Sequence, residues 1–347
     1  MDLIRDLSNA FGPSGFEEDV IEVVEKYSGD FNFKRDVLNN AYLSLKNPGG
    51  DFNLMLDGHL DEVGFMVHYI DPKGLIHFIA LGGWVVENIP AQLVVIKNAR
   101  GDYIKGVVSS KPPHFMTEEE KKKRLTIEDL TIDVGACSKE EVEGDFGIQV
   151  GDPIAPYVDF DYNEKNQIMM GKAFDNRLGT ACAIKLMERL KDEKLKLNPI
   201  AALASQEEVG TRGAQVTSQR IRPDLAIVFE GSPADDLYYP DYRIQGGLNK
   251  GAQIRLRDSS YLANRKLAKR AIDIADKKNI DYQVTVRTSG GTNAGKIHLS
   301  HEGVAVLVIG IPVRYAHSHH CYASKRDFDS AVDLAYELIM DLNSELE

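Results

Sequence analysis

The sequence predicts an α/β protein: a layered domain with a mixed sheet flanked by helices, interrupted by a small inserted β-barrel domain. Three observations carry that reading. At both ends of the chain, apolar strand-like runs alternate with amphipathic helical stretches, the pattern of a sheet covered by helices. Between Gly64 and Asp159 the alternation stops, and short strands separated by turn residues take over, as in small barrels. At 347 residues and 38.6 kDa the chain is long enough for two such domains. The expected division is an α/β domain over residues 1–64 and 160–347, with the β domain inserted over 65–159.

Residues 2–28 read as helical: Val20, Ile21, Val23 and Val24 supply an apolar face, and Ser14 with Glu17 has capping-box spacing. Short strands are expected at 32–37 and 41–45, then at 53–56, running into Asp57-Gly58-His59-Leu60-Asp61-Glu62. The inserted domain offers strands at 65–67, 76–79, 93–96 and 103–108, punctuated by turns such as Asp71-Pro72-Lys73-Gly74. Its charged stretch from Thr117 to Arg124 reads as a solvated helix. Beyond Gly171 come a helix at 176–191 and the apolar strand Ile200–Ala204, which leads into Ser205-Gln206-Glu207-Glu208-Val209-Gly210. The remaining expected strands are 225–230, 252–256, 282–286 and 304–309, with helices at 213–220, 264–277, 292–298 and 326–346.

Composition narrows the function. A net charge of −12 argues against non-specific binding to nucleic acid or to anionic membrane, both of which require a basic surface. Cys137, Cys182 and Cys321 are odd in number and far apart, which fits a reducing compartment and no disulfide framework. The first residues carry two acids and no apolar core, unlike a signal peptide, and no apolar run approaches the roughly 18 residues of a membrane helix. A cytoplasmic protein is expected.

Two adjacent carboxylates at the mouth of a buried strand are costly to desolvate unless a cation lies beside them. Glu207 and Glu208 have only Arg212 nearby in sequence. Four other strand ends or helix starts also present a metal-ligand type: His59, Asp175, Glu230 and His317. Each has a plain structural alternative. His59 reads equally as a hydrogen-bonded structural histidine, Asp175 as a helix N-cap, Glu230 as a turn residue, and His317 as part of a solvated histidine cluster. Together they form five stations in one layered domain, and ligands in such domains gather at the carboxyl ends of strands. In an extended segment Asp61 shares a face with His59 and can orient its ring. On a regular strand Glu207 and Glu208 point oppositely, so that one binds metal while the other stays unligated.

The motifs Gly58-His59-Leu60-Asp61-Glu62-Val63-Gly64, Ala173-Phe174-Asp175-Asn176-Arg177, Glu207-Glu208-Val209-Gly210 and Arg314-Tyr315-Ala316-His317-Ser318 resemble those of the M42 family of metallo-aminopeptidases. The stretch from Ser110 to Lys122 is similar to that family's inserted domain, and the resemblance runs almost end to end. It implies a two-metal aminopeptidase acting on short peptides. His59, Asp175 and Glu230 would hold one divalent ion, and Asp175, Glu208 and His317 the other, with Asp175 bridging. Glu207 would be the general base, and Asp61 would assist at His59. Mixed imidazole and carboxylate ligands suit zinc or cobalt, or manganese. The resemblance also implies a homo-oligomer, a dodecamer assembled through the inserted domain, with peptides as substrates.

The sequence departs from the family pattern in places. Glu230 stands where many members carry Asp, and Asn293 replaces an Asp near the expected substrate position. His319 follows His317 closely and is the reserve ligand. Two other functions stay open: a glycosidase, which would need two carboxylates facing each other across a sugar, and a catalytically inactive metal-binding assembly protein. His68, His77, His298 and His301 read as packing or surface residues, Trp84 as a core or interface aromatic, and Cys182 as core. Arg257, Arg287, Arg314 and Lys250 are candidates for an acid-selective pocket, but the preferred N-terminal residue is not legible.

Overall fold

The computed structural model describes residues 1–346. The single N-terminal helix expected is two, α1 (Asp2–Asn9) and α2 (Glu18–Lys26), separated by the loop carrying Pro13, Ser14 and Gly15. Strands β1 (Asn32–Arg35), β2 (Ala41–Ser44) and β3 (Phe52–His59) lead to the barrel: β4 (Gly64–Ile70), β5 (Ile76–Leu81), β6 (Leu93–Lys97), β7 (Tyr103–Ser110), β8 (Leu130–Asp133) and β9 (Pro153–Pro156), with α3 (Lys139–Gly144) before the last strand. Then come β10 (Asp161–Asn163), β11 (Ile168–Gly171), α4 (Phe174–Leu190), β12 (Leu197–Ala204), α5 (Arg212–Ile221) and β13 (Leu225–Pro233). The chain ends through β14 (Ala252–Arg257), α6 (Arg265–Lys278), β15 (Tyr282–Val286), α7 (Ala294–Ile297), β16 (Ala305–Arg314), β17 (Cys321–Ser324) and α8 (Lys325–Glu345).

Eleven strands form one mixed sheet in the order β1-β2-β12-β3-β13-β16-β17-β11-β10, with β14 on β16 and β15 on β14. Its centre is parallel: β12, β3, β13 and β16 run side by side in the same direction. These strands are buried on both faces, so they read as apolar runs; Leu54, Met55, Leu56, Ala226–Phe229 and Leu307–Ile309 are fully buried. Helices α4, α6 and α8 pack on one face with Leu178, Ile184, Ala271 and Leu338, while α5 and α7 cover the other. Four central strands therefore end at one edge, the place where α/β sheets bind ligands.

The barrel closes in the order β4-β5-β8-β7-β6-β9 around Phe65, Ile76, Val94, Ile96, Ile132 and Ile154. The charged stretch from Thr117 to Arg124 is not the helix expected. It holds only a 3-10 turn at Glu120–Lys122, with Lys111 and Thr117 rather than a helical ladder satisfying Glu120. Strands β8, β9, β10, β11 and β17 were not apparent in the sequence, being three or four residues long in most cases or rich in proline. Among the described residues no helix is long and apolar enough to cross a membrane. All three cysteines are free.

Candidate metal centre

His59 is the last residue of β3 and lies wholly buried, paired with Ala204 at the end of β12. The Thr180 hydroxyl donates to its backbone carbonyl at 2.9 Å, tying the strand end to α4. Its Nδ1 lies 3.1 Å from the Asp61 carbonyl and 3.4 Å from Asp61 Oδ1, so this side of the ring is held by Asp61. The other nitrogen, Nε2, is 3.1 Å from Asp175 Oδ1 and 3.9 Å from Glu207 Oε2.

Asp175 enters from the first turn of α4 with only 10% of its side chain exposed, and it is not the N-cap, a position held by Ala173 without a side-chain capping bond. Its second oxygen, Oδ2, lies 3.3 Å from His317 Nε2. One carboxylate therefore turns one oxygen to each histidine. The close approach that permits this is at Gly231, where a Cβ would stand 2.5 Å from the Phe174 carbonyl and 2.6 Å from Asp175 Cα. Next to it, buried Asn176 donates to the Phe229 carbonyl at 2.8 Å and to Glu230 Oε2 at 3.3 Å, and accepts from the N–H groups of Gly179 and Gly231.

Glu207 and Glu208 do not sit on the strand as expected. β12 ends at Ala204, and Gln206 adopts a left-handed φ of 53°. The alternation of a regular strand is therefore lost, and both carboxylates turn to the same centre, Glu207 toward His59 and Glu208 Oε1 to 3.4 Å from His317 Nε2. Arg212, the cation nearest in sequence, donates to Gln206 Oε1 at the exposed rim instead. Glu230 is likewise not at a strand end, because β13 continues to Pro233.

Ligand atoms of His59, Asp175 and Glu230 lie within 4.8 Å of one another, as do those of Asp175, Glu208 and His317. His59, Glu207 and Glu208 make a third such group. His319 joins none of them. It is buried against Trp84, ring centroids 5.2 Å apart, with neither ring nitrogen bonded, and burial pushes it down to about 4. Asn293 is also not at the substrate surface: it is fully buried and donates to Asp57 Oδ2 at 2.9 Å.

The electrostatics fit a cation. Burial pushes the Glu207 carboxyl up to about 7, against the pull of the His59 imidazole. Glu208 and Glu230 are held well above the usual carboxylate range, first by burial and then, against the nearby imidazoles, by Asp175. Burial acts the same way on Asp175, but hydrogen bonds from His317 and His59 hold it below its ordinary value. Burial disfavours charge on His59, yet Asp175 and Asp61 raise it well above normal. Burial opposes charge on His317 too, and Asp175 with Glu208 lifts it to about 9. Glu208 Oε1 is buried without a hydrogen-bond donor. Four buried acids and two imidazoles thus compete for protons, the condition that divalent ions relieve by replacing protons on the ligands.

Several residues at the site went unrecognised in the sequence. The cavity over the carboxylates, about 720 Å³, has Arg255, Arg287 and Lys296 in its lining, and of these only Arg287 was named from sequence. Arg257 instead donates to the Arg287 carbonyl, and Arg314 pairs with Asp236. The barrel contributes too: Gly83 lines the cavity, and a Cβ at Gly82 would stand 3.2 Å from Glu208 Cβ. Trp84 stacks on Phe65 at 4.6 Å and donates to the Gly64 carbonyl, anchoring that loop to the barrel. Beneath the site, fully buried Arg177 donates to the carbonyls of Leu60, Leu7, Ala10 and Gly12 and meets Glu62 at 3.3 Å. Lys172 also pairs with Glu62, burial bringing it down to about 8.

Comparison with known proteins identifies the family. The family model for M42 glutamyl aminopeptidase matches residues 39–334. A glutamyl aminopeptidase of Lactococcus lactis is 30% identical, covering 99% of this chain and 97% of its own length. The structure of a TET aminopeptidase from a marine-sediment Thaumarchaeota archaeon superposes with a TM-score of 0.95 at 36% identity, over 99% of this chain and 98% of that one. A Pyrococcus horikoshii TET peptidase, which assembles into a tetrahedron or a large octahedral shell, superposes with a TM-score of 0.86 at 26% identity and 99% coverage of both chains. The chain belongs to the M42 glutamyl aminopeptidase family and is a hydrolase of the metallo-aminopeptidase type.

Proposed function

We propose that this aminopeptidase removes N-terminal residues from short peptides at a centre of two divalent ions, with Glu207 as general base. The observation that carries the reading is the split of Asp175, whose two oxygens face His59 and His317 separately. His59, Asp175 and Glu230 would hold one ion, and Asp175, Glu208 and His317 the other. The chemistry such ions would supply there is acidification of a water and polarisation of a carbonyl. The protein's own part is to place and to shuttle protons. Glu207, not needed by either ligand set, takes a proton from the attacking water and returns it to the leaving amine. Asp61 fixes the His59 ring by its carbonyl and carboxylate. Zinc and cobalt, with manganese third, match this donor set.

The cations in the cavity lining support a preference for acidic N-terminal residues. Arg255 pairs with Asp258 at 3.3 Å and Arg287 with Asp235 at 2.7 Å, but both acids stand outside the cavity lining, so the substrate meets the cations. Arg255 is 4% exposed, and its Nε has no partner. The chain assembles into a dodecamer, as a TET1 relative superposing with a TM-score of 0.84 does, with the barrel over 65–159 as the contact domain, and three free cysteines suit a cytoplasmic setting. The glycosidase alternative draws no support from the family match.

The test is a panel of aminoacyl substrates run on chelated protein with each metal restored. Activity should vanish on chelation and return with metal, highest on glutamyl or aspartyl substrates. Activity that survives chelation contradicts the metal assignment; a preference for lysyl or leucyl substrates contradicts the acidic one.

A further inference from the structure

Ser14 and Glu17, spaced as a helix capping box, cap nothing. α2 starts at Glu18, and Glu17 at its N-cap position makes no side-chain capping bond. Both side chains instead turn inward, with residue exposures of 5% and 0%. Glu17 Oε1 accepts the N–H of Gly15 at 2.7 Å and that of Gln206 at 3.1 Å, and Oε2 accepts from Asn39 at 3.3 Å. The Ser14 hydroxyl donates to Asp61 Oδ2 at 2.5 Å. Asp61 in turn accepts the N–H of Glu207 on Oδ1 at 2.9 Å and that of Glu208 on Oδ2 at 3.1 Å.

Three consecutive backbone N–H groups, from Gln206 to Glu208, are thus held by two buried carboxylates. Neither carboxylate lines the substrate cavity. A fourth, the Ser205 N–H, is accepted by Asn40 Oδ1 at 2.9 Å. Burying two acids side by side is expensive, and a left-handed residue other than glycine persists only where its surroundings fix it. The gain is the turn itself, since this backbone makes two adjacent glutamates converge where a strand would point them apart.

We infer that the Ser14–Glu17 loop is a positioning device for the Glu207–Glu208 turn, acting through the Gln206 N–H and through Asp61. Ser14 and Glu17 are positioning residues and touch neither substrate nor ligand atoms. The inference deepens the proposed mechanism and rests on Glu207 as base.

The experiment compares Glu17→Ala and Glu17→Gln in the metal-loaded enzyme, measuring kcat, KM, bound metal and backbone amide exchange over residues 205–209. Glu17→Ala should lower kcat about 10–100-fold, the usual effect of losing a second-layer partner, with KM and metal content within about twofold. Exchange should quicken at 205–209 and stay unchanged in the barrel. Glu17→Gln retains an oxygen for the Gln206 N–H and should recover kcat to within about threefold. A folded Glu17→Ala with wild-type kcat and exchange overturns the inference, as does a Glu17→Gln variant no better than Glu17→Ala. Should Glu17→Ala fail to fold, Ser14→Ala applies the same criteria through Asp61: slower turnover and faster exchange at 207–208 sustain the inference, and wild-type values of both overturn it. Full turnover in Glu207→Gln would remove the base assignment while leaving the exchange result to stand alone, so the two failures are distinguishable.

Discussion

The barrel interior and the edge of the parallel sheet are both fully buried, yet they use burial for opposite ends. Inside the barrel, Phe65, Ile76, Ile132 and Ile154 belong to one apolar cluster. At the sheet edge, Asp57, His59, Asp61, Glu62, Lys172, Arg177 and Glu230 are as deeply buried, and each carries charge or can acquire it. The first arrangement holds a shape. The second gives up stability to place ionisable groups, which is worthwhile only where chemistry or a bound cation uses them. Substitutions should therefore separate stability from turnover along this division.

The largest effect expected is at Glu207. Glu207→Gln should lower kcat roughly 10²–10⁴-fold, the usual worth of a general base, while metal content stays at wild type. Kinetics beside elemental analysis will check it, and turnover within a few-fold of wild type would remove Glu207 from the mechanism. Next comes the barrel core: Ile132→Ala should cost about 2–5 kcal/mol of stability, read as a lowered unfolding midpoint, with kcat per folded site unchanged. A matching loss of kcat would show the barrel to be coupled to the site through the Gly82–Gly83 loop.

A smaller effect is expected away from both regions. Burial raises Asp327, at the start of α8, to about 6, although the N–H groups of Gly251 and Asn249 pull it back. Its folded value lies above the ordinary one, so the folded state binds the extra proton between about pH 4 and 6 and loses stability as pH rises through that window. Asp327→Asn should flatten this part of the stability profile by on the order of 3 kcal/mol. Thermal unfolding across a pH series will show it, and parallel profiles would contradict it. The smallest effect is at Lys121, paired only with exposed Glu118, where Lys121→Ala should shift stability by less than about 0.5 kcal/mol.

What the sequence made legible follows the same division. His59, Asp175, Glu208, Glu230 and His317 could be singled out only as a set, because five ligand-type stations at strand ends or helix starts of one layered domain are hard to explain separately. The alternation of strands and helices was legible as well, since long apolar periods have few other uses. The Gln206 turn was not, because the sequence leading into Glu207 looks like a strand running on and nothing local announces a left-handed residue. Ser14 and Glu17 misled by fitting a commoner local pattern, while their actual partners lie 47 and 189 residues away. Arg255 and Lys296 look like ordinary surface cations until β14 and α7 bring them to one cavity. Arg177 closes a quoted motif, but its buried bonds to α1 and the loop after it have no sequence signal at all.

The most direct measurement is anomalous diffraction from crystals loaded with zinc or cobalt. Two peaks are expected about 3.5–4 Å apart, one beside His59 and Glu230 and the other beside Glu208 and His317, with Asp175 between them. A single peak, or peaks that leave Asp175 unligated, would contradict the bridged centre on which the proposed function stands.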